Sequence, residues 1–128
     1  MARSAAKNPR LARLTKLCLA LPEATVELHG SHATFRVRKK VFCYFLDNHH
    51  GDGIVAVTCK AGPGDNTVLA AAQPDRFYLP AYIGPRGWVA LRLDIGEVDW
   101  DEVNELLVGS YRLTAPRRLG AMVRITGH

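Results

Sequence analysis

The 128 residues include 17 Lys and Arg and 12 Asp and Glu, a formal net charge of +5, and 48% of them are hydrophobic. These values predict a single globular domain over residues 1–128, with residues 1–7 as a flexible tail, that needs neither disulfides nor a structural metal. The apolar run at residues 17–21 is too short for a signal peptide or a membrane span, so we expect a cytoplasmic protein with no membrane partner.

The first predicted element is an amphipathic helix. Asn8 is a suitable N-cap and Pro9 a suitable first helical residue, and Pro22 ends the pattern. The apolar residues of this helix recur at helical spacing: Leu11, Leu14, Cys18 and Leu21.

A β pattern follows, with alternation over residues 34–38 and again over 41–46. The simplest connection is a two-residue hairpin turn within residues 38–40, although glycine or asparagine is usual there. Because side chains alternate along a strand, such a turn predicts two faces. The predicted core side holds Phe35, Val37, Phe42, Tyr44 and Leu46. The other side holds Thr34, Arg36, Arg38, Cys43 and Phe45.

Further along the chain we expect a central strand at 54–59, a short helix at 65–72 and a strand at 88–93 that turns Trp88, Ala90 and Arg92 away from the core. A last long helix begins at its N-cap, Asp99, and ends before Pro116. The predicted fold is α+β: an antiparallel sheet of about five strands with two main helices packed on one face and the other face partly open.

Several segments resemble the MmcQ/YjbR family over residues 17–119. They are Leu21-Pro22-Glu23, residues 29–37, Lys60, residues 80–88 and residues 110–119. The resemblance implies a CyaY-like fold, also described as double-wing DNA-binding-like, and a small DNA-binding protein. The chain departs from the family's usual glycines at the hairpin turn, where it has Arg38 and Lys39.

The open face of the sheet is the first candidate site. Arginine binds phosphate through two parallel hydrogen bonds and aromatic rings stack on bases, so this mixture favours a nucleic-acid surface, with DNA as the partner. The candidate residues are Arg36, Arg38, Lys39, Lys40, Phe45, Trp88 and Arg92. The alternative is that nearby acids or a partner subunit occupy the same side chains.

A second candidate site is a cleft that would bind a small molecule or a metal. It would use Lys60, Tyr82, Gly84, Arg86 and Trp88, since glycines let a backbone approach a ligand closely. A purely structural role explains the same residue types, with the glycines in a tight turn and Trp88 as a packing anchor. A third reading is an adaptor that uses the open face to bind protein, as a monomer or a homodimer.

The sequence gives little indication of a metal site, a cofactor or an enzymatic activity. His49 and His50 lie in a loop rich in His and Asp, but no ligand spacing typical of a metal site is present, so we predict no metal and no cofactor. Cys18, Cys43 and Cys59 have apolar neighbours, which indicates buried thiols. No nucleophile motif is apparent, so we expect a non-catalytic protein.

Overall fold

The computed structural model describes residues 8–48 and 51–123. Within these ranges the α-helices are α1 (Pro9–Leu19), α2 (Asp65–Ala72), α3 (Trp100–Thr114) and α4 (Arg117–Ala121). A 3₁₀ turn spans Gly84–Arg86. None of the helices in this part of the chain is long and apolar enough to cross a membrane.

Six strands form one antiparallel sheet in the order β1-β2-β3-β4-β6-β5. Their bounds are β1 (Ala24–His29), β2 (His32–Val37), β3 (Lys40–Asp47), β4 (Val55–Lys60), β5 (Phe77–Tyr78) and β6 (Trp88–Arg92). The fold class is therefore the predicted α+β, with a sheet slightly larger than the five strands expected, since the two-residue β5 pairs along the edge of β6.

Helices α1 and α3 form the layer that buries one face of the sheet. Asn8 Oδ1 caps α1 by accepting from Arg10 N, and Asp99 Oδ1 caps α3 by accepting from two backbone N–H groups. The side chains of Leu14, Cys18 and Tyr111 are fully buried against this covered face. The core residues that the sheet contributes include Phe35, Val37, Phe42, Cys43, Phe45, Val57, Cys59, Val89 and Leu91.

A β-bulge at Phe42 changes which face the second half of β3 presents. Phe35 pairs with Cys43 whereas Arg36 pairs with Val41, so Phe42 is an extra residue on β3. An inserted residue reverses the alternation beyond it. The predicted orientation of Phe45 is therefore wrong: its side chain lies on the covered face and is fully buried.

The same bulge corrects three further assignments. Cys43 lies on the covered face, next to the fully buried Phe42. Tyr44 and Leu46, predicted to be core residues, lie half-buried on the opposite, open face. The Tyr44 ring there is 5.5 Å from the ring of Trp88 between centroids.

Two side chains of α3 fix the sheet to the helix layer. The buried Ser110 Oγ donates to the Phe42 carbonyl at 2.5 Å and accepts from the Lys60 N–H at 2.9 Å. The Tyr111 hydroxyl donates to the Pro22 carbonyl at 2.6 Å. Buried hydrogen bonds between distant segments are costly to lose, so these residues have a structural role.

Candidate functional site

The arginines predicted on the open face each have a carboxylate partner. Arg36 Nη1 donates to Glu27 Oε1 on the neighbouring strand β1. Arg92 donates through Nε and Nη2 to the two carboxylate oxygens of Asp94, both at 3.0 Å. The centre of the open face therefore carries paired arginines instead of the row of free guanidinium groups that a phosphate-binding face requires.

The β2–β3 turn has an unusual backbone. Val37 pairs with Lys40, so the turn contains only Arg38 and Lys39. Both adopt left-handed conformations, with φ of 49° for Arg38 and 71° for Lys39. The predicted two-residue turn is confirmed, in a geometry that normally selects asparagine and glycine because their φ can be positive at little cost.

Arg38 reaches from this turn to the segment after α1. Its Nη2 donates to Glu23 Oε2 at 3.0 Å, and its Nε donates to Glu23 Oε1. Hydrogen bonding to Arg38 lowers the pKa of the Glu23 carboxyl, and the charge of Arg118 contributes in the same direction. Lys39 and Lys40 are exposed beside this pair.

The turn lies at the end of the molecule where most of the Lys and Arg residues within residues 8–48 and 51–123 gather. We call this end the hairpin end. The Tyr111 bond to Pro22 and the Ser110 bond to Lys60 bring the C-terminal part of α3 to the same end. Its cations are Arg38, Lys39, Lys40, Lys60, Arg86, Arg112, Arg117 and Arg118, and they stand against the carboxylates of Glu23 and Asp65.

The opposite end, which we call the cavity end, has more carboxylates than cations, although Arg10, Arg13, Arg76 and Arg92 also lie there. Strand β3 runs to Asp47, β6 is followed by Asp94, and α3 starts beside Asp99. Asp52, Asp101 and Glu102 also lie at this end. Because α3 has 15 residues, its two ends are separated by about 22 Å, so the two groups of charges do not neutralise each other locally.

Residues 79–88 form a segment that leads into β6 and is held by hydrogen bonds from α2. The Asn66 side-chain amide donates to the carbonyls of Gly84 (2.8 Å) and Trp88 (3.1 Å). A side chain at Gly84 would place its Cβ 3.3 Å from the Leu79 Cβ, and Gly87 has a φ of 96°. These contacts support the structural reading of the two glycines. Trp88 is 9% exposed.

A cavity of about 480 Å³ lies between this segment and the open face of the sheet. Its lining is aromatic and aliphatic with one carboxylate: Tyr44, Leu46, Asp52, Tyr78, Pro80, Ala81, Tyr82 and Ile83. Burial raises the pKa of the Tyr78 hydroxyl, and the negative charge of Asp52 raises it further. This volume and this lining are typical of a small-molecule site.

Tyr82 is the most unusual residue of the lining. It has a φ of 69°, and its side chain is 88% exposed. The backbone around it is held by Ile83 N donating to Ala81 O (2.8 Å) and Gly84 N donating to Pro80 O (2.9 Å). A large ring is therefore kept in a costly backbone conformation while it gains little from packing.

The two predicted sites are only partly assembled. Of the predicted cleft, Tyr82 lines the cavity, whereas Lys60, Gly84, Arg86 and Trp88 do not. Of the predicted nucleic-acid surface, Arg38, Lys39 and Lys40 stay together at the hairpin end, and Phe45 is in the core. Sequence reasoning missed Tyr44, Leu46, Tyr78 and Asp52; the clustering of tyrosines near residue 80 was the available signal.

The thiols and histidines do not form a further site in the ranges that the structure describes. Cys18, Cys43 and Cys59 are buried and free, and burial raises the pKa of the Cys43 thiol well above its usual value. Within residues 8–48 and 51–123, no group of three or more His, Cys, Asp or Glu side chains is placed so that it could hold a metal. His49 and His50 lie outside the described residues.

The fold and the two ends define a small α+β protein in which a six-stranded antiparallel sheet is covered by helices on one face. The family model YjbR matches residues 19–113, and the chain belongs to this family. The crystal structure of Deinococcus radiodurans protein DR2400, a DUF419 domain, has a similar fold, with a TM-score of 0.63 and 24% sequence identity over 78% of this chain and 74% of that one. A comparison with curated proteins gives no match.

Proposed function

We propose that this protein binds nucleic acid, DNA in particular, through the hairpin end instead of the centre of the open face. The observation that carries the proposal is the pair Arg38 and Lys39 at positive φ in a two-residue turn. Glycine or asparagine would form this turn at lower cost, so the basic side chains are retained against the backbone preference. Strain of this kind is typical of positions where the side chain has a function.

The charge distribution supports the same surface. Lys39 and Lys40 are exposed at the tip, and Arg117 and Arg118 are exposed on α4 nearby. A β-turn with exposed ammonium groups can contact a phosphate backbone without needing a flat face. Arg36, Arg38 and Arg92 contribute less than the lysines, because each is paired and would have to exchange a carboxylate for a phosphate.

The surface predicts sequence-independent binding. Such contacts give dissociation constants of about 10⁻⁴ to 10⁻⁶ M at physiological salt, and each lost phosphate contact reduces the slope of log K against log salt by about 0.9. We therefore expect the variant Lys39→Ala with Lys40→Ala to bind a duplex more weakly and with a slope smaller by about 2. Fluorescence anisotropy at several salt concentrations measures both quantities.

A matched variant removes the same charge elsewhere. Arg10→Ala with Arg13→Ala takes two cations from α1 at the cavity end, where the Arg13 guanidinium lies 5.2 Å from the ring centre of Trp100. This variant keeps the parental slope if the hairpin end is the binding surface. Equal slopes for the two double variants, or no duplex binding by the parent protein at low salt, would refute the proposal.

A further inference from the structure

The aromatic cavity is distant from the β2–β3 turn. Leu46, in its lining, is six residues along β3 from Lys40, a separation of about 20 Å. The cavity is bounded by Tyr44, Tyr78 and Tyr82, with the carboxylate of Asp52 also in the lining. A ligand of this cavity would therefore be recognised by other groups than the cations proposed to bind phosphate.

The charges around the cavity favour a cation. Asp52 contributes a negative charge to the lining, and the neighbouring Asp94 is neutralised by its two hydrogen bonds with Arg92. Lys39 and Lys40 lie at the other end of strand β3, and Arg86, three residues after the lining residue Ile83, is not part of the lining. An anionic ligand would face Asp52 without a free cation among the lining residues of this described cavity.

The tyrosines also favour a positively charged ligand. The face of an aromatic ring is negative and attracts ammonium groups, and Tyr and Trp are the side chains that form such cages. The Tyr44 ring is held at 5.5 Å from Trp88, and backbone hydrogen bonds of Ile83 and Gly84 fix the backbone of Tyr82, whose exposed ring stands at the rim. The parts of the cage that are already in place lose less conformational entropy on binding.

We propose that the cavity between residues 78–83 and strand β3 is a binding site for an organic cation, a primary or quaternary amine with an apolar or aromatic body. The rings of Tyr44, Tyr78 and Tyr82 surround the apolar body and the charged group, and the Asp52 carboxylate pairs with the nitrogen. The aliphatic side chains of Leu46 and Ile83 complete the apolar part.

Three aromatic ligands of similar size but different charge distinguish the effect of charge from that of hydrophobicity. They are benzylamine, benzyl alcohol and phenylacetate. Chemical-shift titration of the full chain at neutral pH measures their affinities and shows whether the Tyr78 and Tyr82 resonances move. We expect benzylamine to bind at least about fivefold more tightly than benzyl alcohol, and phenylacetate more weakly than either. Equal affinity for the amine and the alcohol would reduce the cavity to a nonspecific apolar cleft and overturn the proposal.

Two variants locate the site. Asp52→Asn should bring the affinities for benzylamine and benzyl alcohol to within about twofold of each other, whereas Asp101→Asn removes an exposed carboxylate from α3 and should leave the preference unchanged. Tyr82→Gly should weaken benzylamine binding at least about threefold without lowering the thermal stability of the protein. An amine preference that survives in Asp52→Asn, or is lost equally in Asp101→Asn, contradicts the assignment.

Discussion

The hairpin end and the cavity end share two structural features but expose different chemical groups. Each includes non-glycine residues at positive φ, Arg38 and Lys39 in the turn of the hairpin end and Tyr82 in the lining of the cavity. Each has an arginine bonded through two nitrogens to a carboxylate, Arg38 to Glu23 and Arg92 to Asp94. The exposed groups differ: ammonium groups at the hairpin end, and tyrosine rings beside a carboxylate at the cavity end.

This comparison separates the residues that shape the fold from those that the fold displays. The glycines at Gly84 and Gly87 stand where packing or φ requires them, which is the ordinary use of glycine. At Lys39 and Tyr82 the backbone would also accept glycine, yet a long exposed side chain is present. Side chains retained at such positions indicate a selective reason other than stability.

The largest expected effect tests the bulge that places Tyr44 in the cavity. Phe45→Ala should lower the free energy of unfolding by about 3–5 kcal/mol, because the ring is fully buried among the core residues of the covered face. Tyr44→Ala, on the adjacent residue, should cost clearly less, since that ring is half-buried on the open face. Urea denaturation measures both free energies.

The comparison between the two ends would fail if the order of these two free-energy losses were reversed. A larger loss for Tyr44→Ala than for Phe45→Ala would mean that strand β3 keeps the uninterrupted alternation. The cavity would then lose one of its walls, and the open face would regain Phe45.

The fold could be predicted from the sequence because its signals are local and repeated. The caps Asn8 and Asp99, the helical spacing in α3 and the turn within residues 38–40 each follow from short-range chemistry, and the structure has all of them. Strand β3 differs because both of its faces are apolar. In such a strand hydrophobicity cannot select a register, so the bulge at Phe42 is decided by tertiary packing, including the Ser110 bond to its carbonyl.

The candidate sites depended on information that the sequence does not display. An arginine on a strand looks the same whether its guanidinium is free or paired, and Arg36 and Arg92 proved to be paired. The cavity is lined by residues of β3, by Asp52 and by residues 78–83, which come together only when the chain folds. The positive φ of Tyr82 is fixed by the hydrogen bonds around it, and a tyrosine in the sequence does not predict a positive φ.

An intermediate effect tests the strain at both ends directly. Lys39→Gly and Tyr82→Gly should each raise the free energy of unfolding by about 0.5–1 kcal/mol. Relief of the left-handed conformation contributes about 1–2 kcal/mol, and the greater freedom of glycine in the unfolded chain offsets about 0.4–1 kcal/mol of it. For a chain of this size the melting temperature should rise by roughly 2–5 °C, which calorimetry resolves.

The neighbouring residues provide matched controls for these two variants. Lys40→Gly and Ala81→Gly also introduce glycine at exposed positions, but neither residue has a positive φ. Both controls should therefore lower the melting temperature. If Lys39→Gly or Tyr82→Gly destabilised the protein as its control does, the backbone at that end would not be strained and the parallel between the two ends would be lost.

The smallest expected effect concerns the ion pair at the cavity end. Hydrogen bonding to Arg92 holds the pKa of the Asp94 carboxyl below its ordinary value of 3.8. A carboxyl with a lower pKa in the folded state stabilises the fold above its unfolded-state pKa, and this contribution disappears as the pH falls through the folded-state pKa. Arg92→Ala should therefore destabilise the fold slightly near neutral pH and leave its stability unchanged at strongly acid pH.

The Asp94 carboxyl signal in an NMR pH titration measures the same effect at a single residue. Its midpoint should move upward in Arg92→Ala, and the midpoint of Glu23 should move upward in Arg38→Ala, because hydrogen bonding to an arginine lowers the pKa of each carboxyl. Added salt should reduce the Glu23 shift more than the Asp94 shift, since the Glu23 side chain is 46% exposed and that of Asp94 19%. An unchanged Asp94 midpoint in Arg92→Ala would show that the guanidinium is free in solution, and the cavity end would then present a cation beside Asp52.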